Sequence, residues 1–235
     1  MRNFLKIFSQ DYLDDILVRF AHHSAGIEGN TISLPATVSI IVNGTLPMSG
    51  KATVREFYEI ENHKQAFENI LTHLLNEEPL TIAIVKDIHA NLTDRLQYNR
   101  GQFKKNENMI LGAEFQTETS FLMAQLIDNL AYRLEVADSD DDKLLAILDT
   151  HIQFERIHPF SDGNGRTGRM VMNYSLLQQG FPPLIIEKET KAQYIEFLGN
   201  QDVDGFVQFA KEILEKEHKR MQAFQNMDSE RIEYQ

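Results

Sequence analysis

The sequence predicts an all-α protein carrying one small β-hairpin, on three observations. Apolar residues recur at helical spacing in most of the long segments. Only one short run reads convincingly as a strand. There is no internal repeat and no low-complexity linker, so the helices belong to one domain spanning residues 1–235.

Tyr12–Ile27 forms the first helix, with Leu13, Ile16, Leu17 and Phe20 on a shared face. Thr31–Gly50, rich in Thr, Ser, Val, Pro and Gly, reads as loop with short extended or helical pieces. Val54–Leu75 places Phe57, Ile60, Phe67, Ile70, Leu71 and Leu74 on one helical stripe. Pro79 separates it from a helix over Thr81–Leu96, for which Thr81 is an N-cap. The strand candidate is Asn108–Gly112, with a partner at Phe115–Thr117, because a short apolar run beside glycine suits a hairpin. Helices follow at Thr119–Glu135 and, after the acidic break Asp138–Asp141, at Asp142–Ile157. Thr167–Gln179 is helix-compatible, opened by Arg166 and stopped by Gly180 ahead of Pro182 and Pro183. Lys191–Leu198 and a long helix from Phe206 to about Phe224 complete the chain, whose last ten residues are polar and expected to fray.

A chain of 235 residues can bury a sizeable core. Its net charge of −12 argues against nucleic acid or an anionic membrane as the main partner. With no cysteine, disulfides, thiol catalysis and cysteine–zinc sites are excluded. No run approaches the ~20 apolar residues of a membrane span. Met1–Phe8 lacks the apolar core of a signal peptide, so a soluble cytoplasmic protein is the default expectation.

Function concentrates in residues 158–169, His-Pro-Phe-Ser-Asp-Gly-Asn-Gly-Arg-Thr-Gly-Arg. A glycine-rich turn feeding a helix N-terminus is an anion site, because unpaired backbone N–H groups and the helix dipole face the ligand. Arg166 and Arg169 add charge that cannot be titrated away, in a fork suited to phosphate. His158 is a base suited to neutral pH, and Phe160, with no polar task, seats the loop in the core. Singly, a His before Pro or an Asp-Gly pair is a turn feature and two spaced arginines a solvated face; all of these readings would have to hold at once in twelve residues.

The run resembles the signature motif of the Fic family, HxFx[DE]GNGRxxR, and meets every fixed position. The resemblance implies a Fic-type helical bundle with a core at about 50–215 and transfer of AMP from ATP to a hydroxyl side chain of a target protein, itself included among the candidates. By the same resemblance His158 is the general base and Asp162 holds Mg²⁺ against the phosphates. Asn164 and the backbone of Gly163 and Gly165 form the anion hole. Arg166 and Arg169 hold the outer phosphates, with Thr167 and Gly168 in the same nucleotide-binding segment. The hairpin would be the family's flap, Met109, Ile110, Leu111, Gly112, Ala113 and Glu114, which pairs with the target's main chain. Gly101–Lys104 resembles the family's G-x-[FY]-R element, with Lys104 in place of arginine. Tyr194, Ile195 and Asn200 resemble the segment that contacts adenosine, with isoleucine where a second tyrosine is usual.

Ser24, Glu28, Gly29 and Asn30 resemble the family's inhibitory motif, [ST]xxxE[GN], on a helix at about 12–30 that precedes the catalytic run. Glu28 would pair with Arg169 and take the place of γ-phosphate oxygens. Without the resemblance, the same residues read as a helix ending at a glycine cap. His22, His23 and His151 show no metal-ligand spacing and read as core or surface histidines. Removal of AMP from a target, transfer of phosphate or phosphocholine, and a toxin-like interaction role stay open as alternatives. Neither the target nor the oligomeric state, a homodimer included, is legible.

Overall fold

The structure is a computed structural model that describes residues 8–45, 52–104 and 122–233, with side chains through Met227 in the last helix. Nine α-helices follow one another among the described residues: α1 Gln10–Ile27, α2 Leu34–Asn43, α3 Val54–Leu75, α4 Ile82–Leu92, α5 Leu122–Glu135, α6 Asp140–Ile157, α7 Asn164–Gln178, α8 Lys191–Asn200 and α9 Val203–Glu233. There is no strand among the described residues. The expected hairpin at Asn108–Gly112 and Phe115–Thr117, with flap residues Met109 to Glu114, lies outside them.

Several boundaries follow from caps. The Glu56 backbone N–H donates to Thr53 Oγ1 at 3.2 Å, and the Thr53 N–H donates back to the Glu56 carboxylate at 2.9 Å. This capping box fixes the start of α3 and, through Thr31 and Thr53, holds the Glu56 carboxyl down at about 2. Ser139 caps α6 by accepting from the Asp142 N–H at 3.1 Å. The helix therefore begins inside the acidic break, with Asp140 and Asp141 in its first turn, where the helix dipole favours them.

Other expectations need correcting. Residues 34–43, read mainly as loop, form α2, with Ser33 before it, Pro35 in its first turn and Gly44 closing it in the left-handed region at φ 63°. The β-branched Thr37, Val38, Ile40, Ile41 and Val42 hid this helix, and burial of Ile40 and Ile41 overrides their propensity. Helix α4 stops at Leu92, four residues early, where Thr93 caps it and Arg95 turns through φ 58°. Helix α9 runs to Glu233 rather than fraying after Phe224.

Helix α7 is the centre of the bundle, packed by α6, α4, α3 and α1. Asn164 and every residue from Arg166 to Leu177 are buried. Met170, Val171, Tyr174 and Leu177 join the core built on α1–α4, while Met172 and Leu176 join a second core with α6, α8 and α9. Asn173 on its buried face is satisfied internally: it donates to the Arg169 and Leu184 carbonyls and accepts from the Leu184 N–H. No helix among the described residues is long and apolar enough to cross a membrane.

Candidate active site

The run from His158 to Arg169 forms the corner between α6 and α7 and the start of α7. His158 caps α6 in the left-handed region (φ 49°), and its N–H donates to the Phe154 carbonyl at 2.9 Å. Phe160 is fully buried and stacks on His89 with ring centroids 3.7 Å apart. Truncating such a ring costs about 3–5 kcal/mol, so Phe160 anchors the loop. Asn164 closes it: the side-chain amide donates to the Phe160 carbonyl at 2.9 Å and its oxygen accepts the Phe160 N–H at 2.8 Å. Expected in the anion hole, Asn164 thus has its side chain engaged in the loop in this structure.

Gly163 is the N-cap of α7 at φ 78°, a conformation that favours glycine. The helix starts at Asn164, earlier than expected, so Gly165, Arg166, Thr167, Gly168 and Arg169 all lie in its first two turns. Its first N–H groups have no intrahelical acceptor and make the positive end of the dipole. The Thr167 hydroxyl is used internally, donating to the Gly163 carbonyl at 2.8 Å.

Arg166 is 2% exposed, yet its Nε and Nη1 have no hydrogen-bond partner among the described residues. Among the described residues its nearest carboxylate oxygen is Asp162 Oδ1, 3.9 Å away. A buried guanidinium with idle donors is costly unless an anion completes it. Burial pulls its pKa down, against the charges of Glu59, Asp162 and Glu28.

Arg169 is engaged. It donates to Ser24 Oγ at 3.0 Å, to the Ser24 carbonyl at 2.8 Å and to Glu28 Oε1 at 2.7 Å. Burial would raise the Glu28 carboxyl, but the charge and hydrogen bond of Arg169, with Arg166 and Lys191, hold it below its ordinary value. Burial likewise works against the Arg169 charge, and Glu28 more than restores it. A Cβ on Gly165 would collide with the Glu28 carboxylate, so this glycine lets Glu28 lie over the first turn of α7. Glu28 itself caps α1, and Gly29 follows at φ 98°. Asn30 ties this corner to α3 by donating to the Glu56 carbonyl at 2.9 Å and to Glu59 Oε2 at 3.0 Å.

His158 is held below its ordinary pKa by burial first and by Lys104 second, against the Glu155 backbone, Glu28 and Asp162. It is therefore neutral and able to accept a proton at neutral pH. Lys104 donates to the Ile157 carbonyl at 3.3 Å and its N–H to the Pro159 carbonyl at 2.8 Å, bracketing the corner. Asp162 accepts from Arg55 Nη2 at 2.7 Å and from the Gly163 N–H at 2.7 Å. Burial raises its pKa, but Arg55, Arg166 and the Gly163 N–H bring it below the usual value.

Tyr194, expected in the segment that contacts adenosine, is buried on α8 beside Arg169. It is 1% exposed, hydrogen-bonded through its hydroxyl to His151 Nε2 at 2.8 Å, and its ring lies 6.0 Å from the Arg169 guanidinium carbon. It backs the arginine. Ile195 and Asn200 are exposed on α8.

Three participants escaped the sequence reading. Arg55 reaches Asp162 from α3 and is held by Glu59 at 3.0 Å. His89 accepts the Gly101 N–H at Nδ1 (2.8 Å), which leaves its Nε2–H to donate to the Asp162 carbonyl at 3.0 Å. Glu155, one turn before His158, is half-buried with its Oε1 enclosed, and its carboxyl is raised to about 8, chiefly by desolvation. Only Glu155 left a signal, an acid three residues from the candidate base on the same helix.

The Fic/DOC family model matches residues 79–176, from α4 into α7. A protein adenylyltransferase Fic of Drosophila willistoni is 32% identical over 201 residues, covering 83% of this chain and 39% of that protein. The corresponding protein of Drosophila mojavensis is also 32% identical over 201 residues. The chain thus spans about two fifths of the length of these curated relatives. Among solved structures, a Fic domain containing signaling protein from Bacteroides thetaiotaomicron shares the fold, with a TM-score of 0.80 at 23% identity over 93% of both chains. Fic-1 of C. elegans shares it too, with a TM-score of 0.75 at 22% identity over 97% of this chain and 68% of that one. The matched span, the identity over most of the chain and the shared fold place this protein in the Fic/DOC family.

Proposed function

We propose that the protein transfers AMP from ATP to a hydroxyl side chain of a target protein, and that Glu28 restrains it. The observation that carries the reading is buried Arg166, with idle donors at the α7 N-terminus beside neutral His158. The names of the Drosophila relatives as protein adenylyltransferases support it.

In this reading His158 accepts the proton of the target hydroxyl, whose oxygen attacks the α-phosphorus of ATP. The bond from that phosphorus to the bridging oxygen breaks and pyrophosphate leaves. Arg166, Arg169 and the first N–H groups of α7 take up the charge of the leaving group, an electrostatic role typical of phosphoryl-type transfer. The residues present fit Mg²⁺: Asp162 offers an ionised, half-exposed carboxylate beside the phosphate site, and such an ion takes one or two carboxylates plus phosphate oxygens and waters. Bound there, Mg²⁺ would neutralise phosphate charge. Asp162 must release Arg55 to serve it. The segment Met109–Glu114 is proposed to hold the target.

Glu28 occupies Arg169 and lies over Gly165, so a triphosphate would meet a carboxylate where its own charge has to sit. The test is mass measurement of proteins in a lysate given isotopically labelled ATP and the Glu28→Gly protein. A gain of one AMP on a Ser, Thr or Tyr supports the reading; a gain of phosphate, or no gain, overturns it.

A further inference from the structure

Glu155 is a half-buried residue with no part in the chemistry above. Its Oε1 is buried and has no hydrogen-bond partner among the described residues. It lies against Gly168, where a Cβ would collide with that oxygen and come within 2.9 Å of Phe154 Cδ1 and 3.2 Å of His151 Cε1. The missing side chain of Gly168 therefore makes the room that Glu155 fills, one residue before Arg169. The charged and titratable groups facing it are Arg169 from α7, Glu28 from α1, Tyr194 from α8 and His151 on its own helix. Burial first, and Arg169 second, hold His151 neutral at about 3, so it offers Glu155 no positive charge.

Arg169 is paired with Glu28 and acts on Glu155 through its charge at longer range, and that single charge can balance only one of the two carboxyl groups. With Glu28 on Arg169, a second negative charge on Glu155 is surplus, and Glu155 keeps its proton. The same arithmetic holds when phosphate oxygens replace Glu28. Between those two states, with Glu28 withdrawn and no nucleotide bound, Glu155 is the other carboxyl among the described residues whose charge acts on Arg169, and it can ionise there.

We propose that Glu155 is the reserve counter-carboxylate of Arg169, and that a nucleotide phosphate arriving on Arg169 drives one proton from solvent onto Glu155. This rests on Arg169 being a phosphate ligand, as proposed above. Glu155 is a positioning residue: it touches no substrate, and its proton sets how much of the guanidinium charge is offered to the nucleotide. Burial raises Glu155 first and Glu28 raises it further, to about 8, against Arg169; without Glu28 it titrates lower, and phosphate raises it again. Proton uptake then falls between the two values, and nucleotide affinity declines as pH rises through that interval.

The test is isothermal titration of Glu28→Gly with AMPPNP and Mg²⁺ between pH 7 and 9, in buffers of different ionisation enthalpy. His158 and the phosphate itself titrate below this window. The expected result is uptake approaching one proton, with affinity falling by up to about tenfold per pH unit. Both effects should vanish in Glu28→Gly/Glu155→Gln. Infrared difference spectra of the Glu28→Gly protein alone, recorded on AMPPNP binding, should gain the carbonyl band of a protonated carboxylic acid. Absence of that band, or equal proton uptake with Glu155→Gln, overturns the proposal while Arg169→Ala still weakens AMPPNP. If Arg169→Ala leaves AMPPNP affinity unchanged, the phosphate reading falls, and the proposal with it.

Discussion

If Glu28 restrains the protein as proposed, replacing it with glycine removes the contact that competes with ATP. The carboxylate oxygen lies 2.7 Å from Arg169 Nη2, with the arginine side chain 3% and the glutamate side chain 40% exposed. Breaking a fully buried pair costs about 3–5 kcal/mol, whereas an exposed pair contributes about 0.2–1 kcal/mol. One buried partner and one two-fifths exposed place this pair between them, at about 2 kcal/mol. ATP that must displace Glu28 carries that handicap, so Glu28→Gly should raise AMP incorporation about 30-fold at subsaturating ATP. Relief of a misplaced α-phosphate would add to this, since about 1 Å of misplacement can cost on the order of 100-fold. Arg169 keeps its two bonds to Ser24, so the variant should remain folded. The assay is incorporation of label from ATP at matched circular dichroism, with Glu28→Gly/Arg169→Ala as the second arm. Wild-type incorporation by folded Glu28→Gly refutes the reasoning. So does a double variant as active as the single one, since Glu28 would then act on something other than Arg169.

His158→Ala should lower turnover by about 10²–10⁴ while leaving ATP affinity largely intact, because the imidazole acts on the hydroxyl and the α7 groups hold the phosphates; turnover above a tenth of the wild-type value would remove His158 as the base. Asp162→Ala should abolish the difference between ATP titrations with and without Mg²⁺, and an unchanged difference would place the metal elsewhere. Acid should destabilise the fold below about pH 6.5, where unfolded histidines take up protons. Buried His22, His63, His89 and His151 resist them down to about 4, 3, 4 and 3, chiefly through desolvation. Stability from these groups is thus full above pH 6.5 and lost as pH falls. Glu155 works in the opposite sense, because its proton is bound in the folded state and lost on unfolding. Four histidine protons against one on Glu155 give a slope of about 4 kcal/mol per pH unit near pH 5. A melting temperature that stays flat from pH 6.5 to 5 would contradict it.

The legible parts of this molecule are those whose cause is local. Thr53 and Glu56 write the start of α3 three residues apart, and the run from His158 to Arg169 keeps all its chemistry in one corner. The start of α7 was misplaced because glycine and asparagine read as loop. Gly163 in fact serves as the cap, and Asn164 turns its amide back on Phe160. Tyr194 carries no sign that its ring is buried behind Arg169, since that depends on α8 meeting α6. Arg55 and Glu59 are separated from Asp162 by about a hundred residues, and their link to it comes from packing alone. The pairing of Glu28 with Arg169 was expected from the resemblance, and the geometry matches that expectation.

Adenylyl transfer moves the α-phosphorus of ATP to protein, whereas phosphate transfer moves the γ-phosphorus. Adenylyl transfer is tested most directly by giving the Glu28→Gly protein ATP labelled at either the α- or the γ-phosphate, then counting protein-bound label with His158→Ala in the same background as the control. The expected result is label from the α position only, abolished by His158→Ala. Label from the γ position, or α label that survives loss of His158, would contradict it.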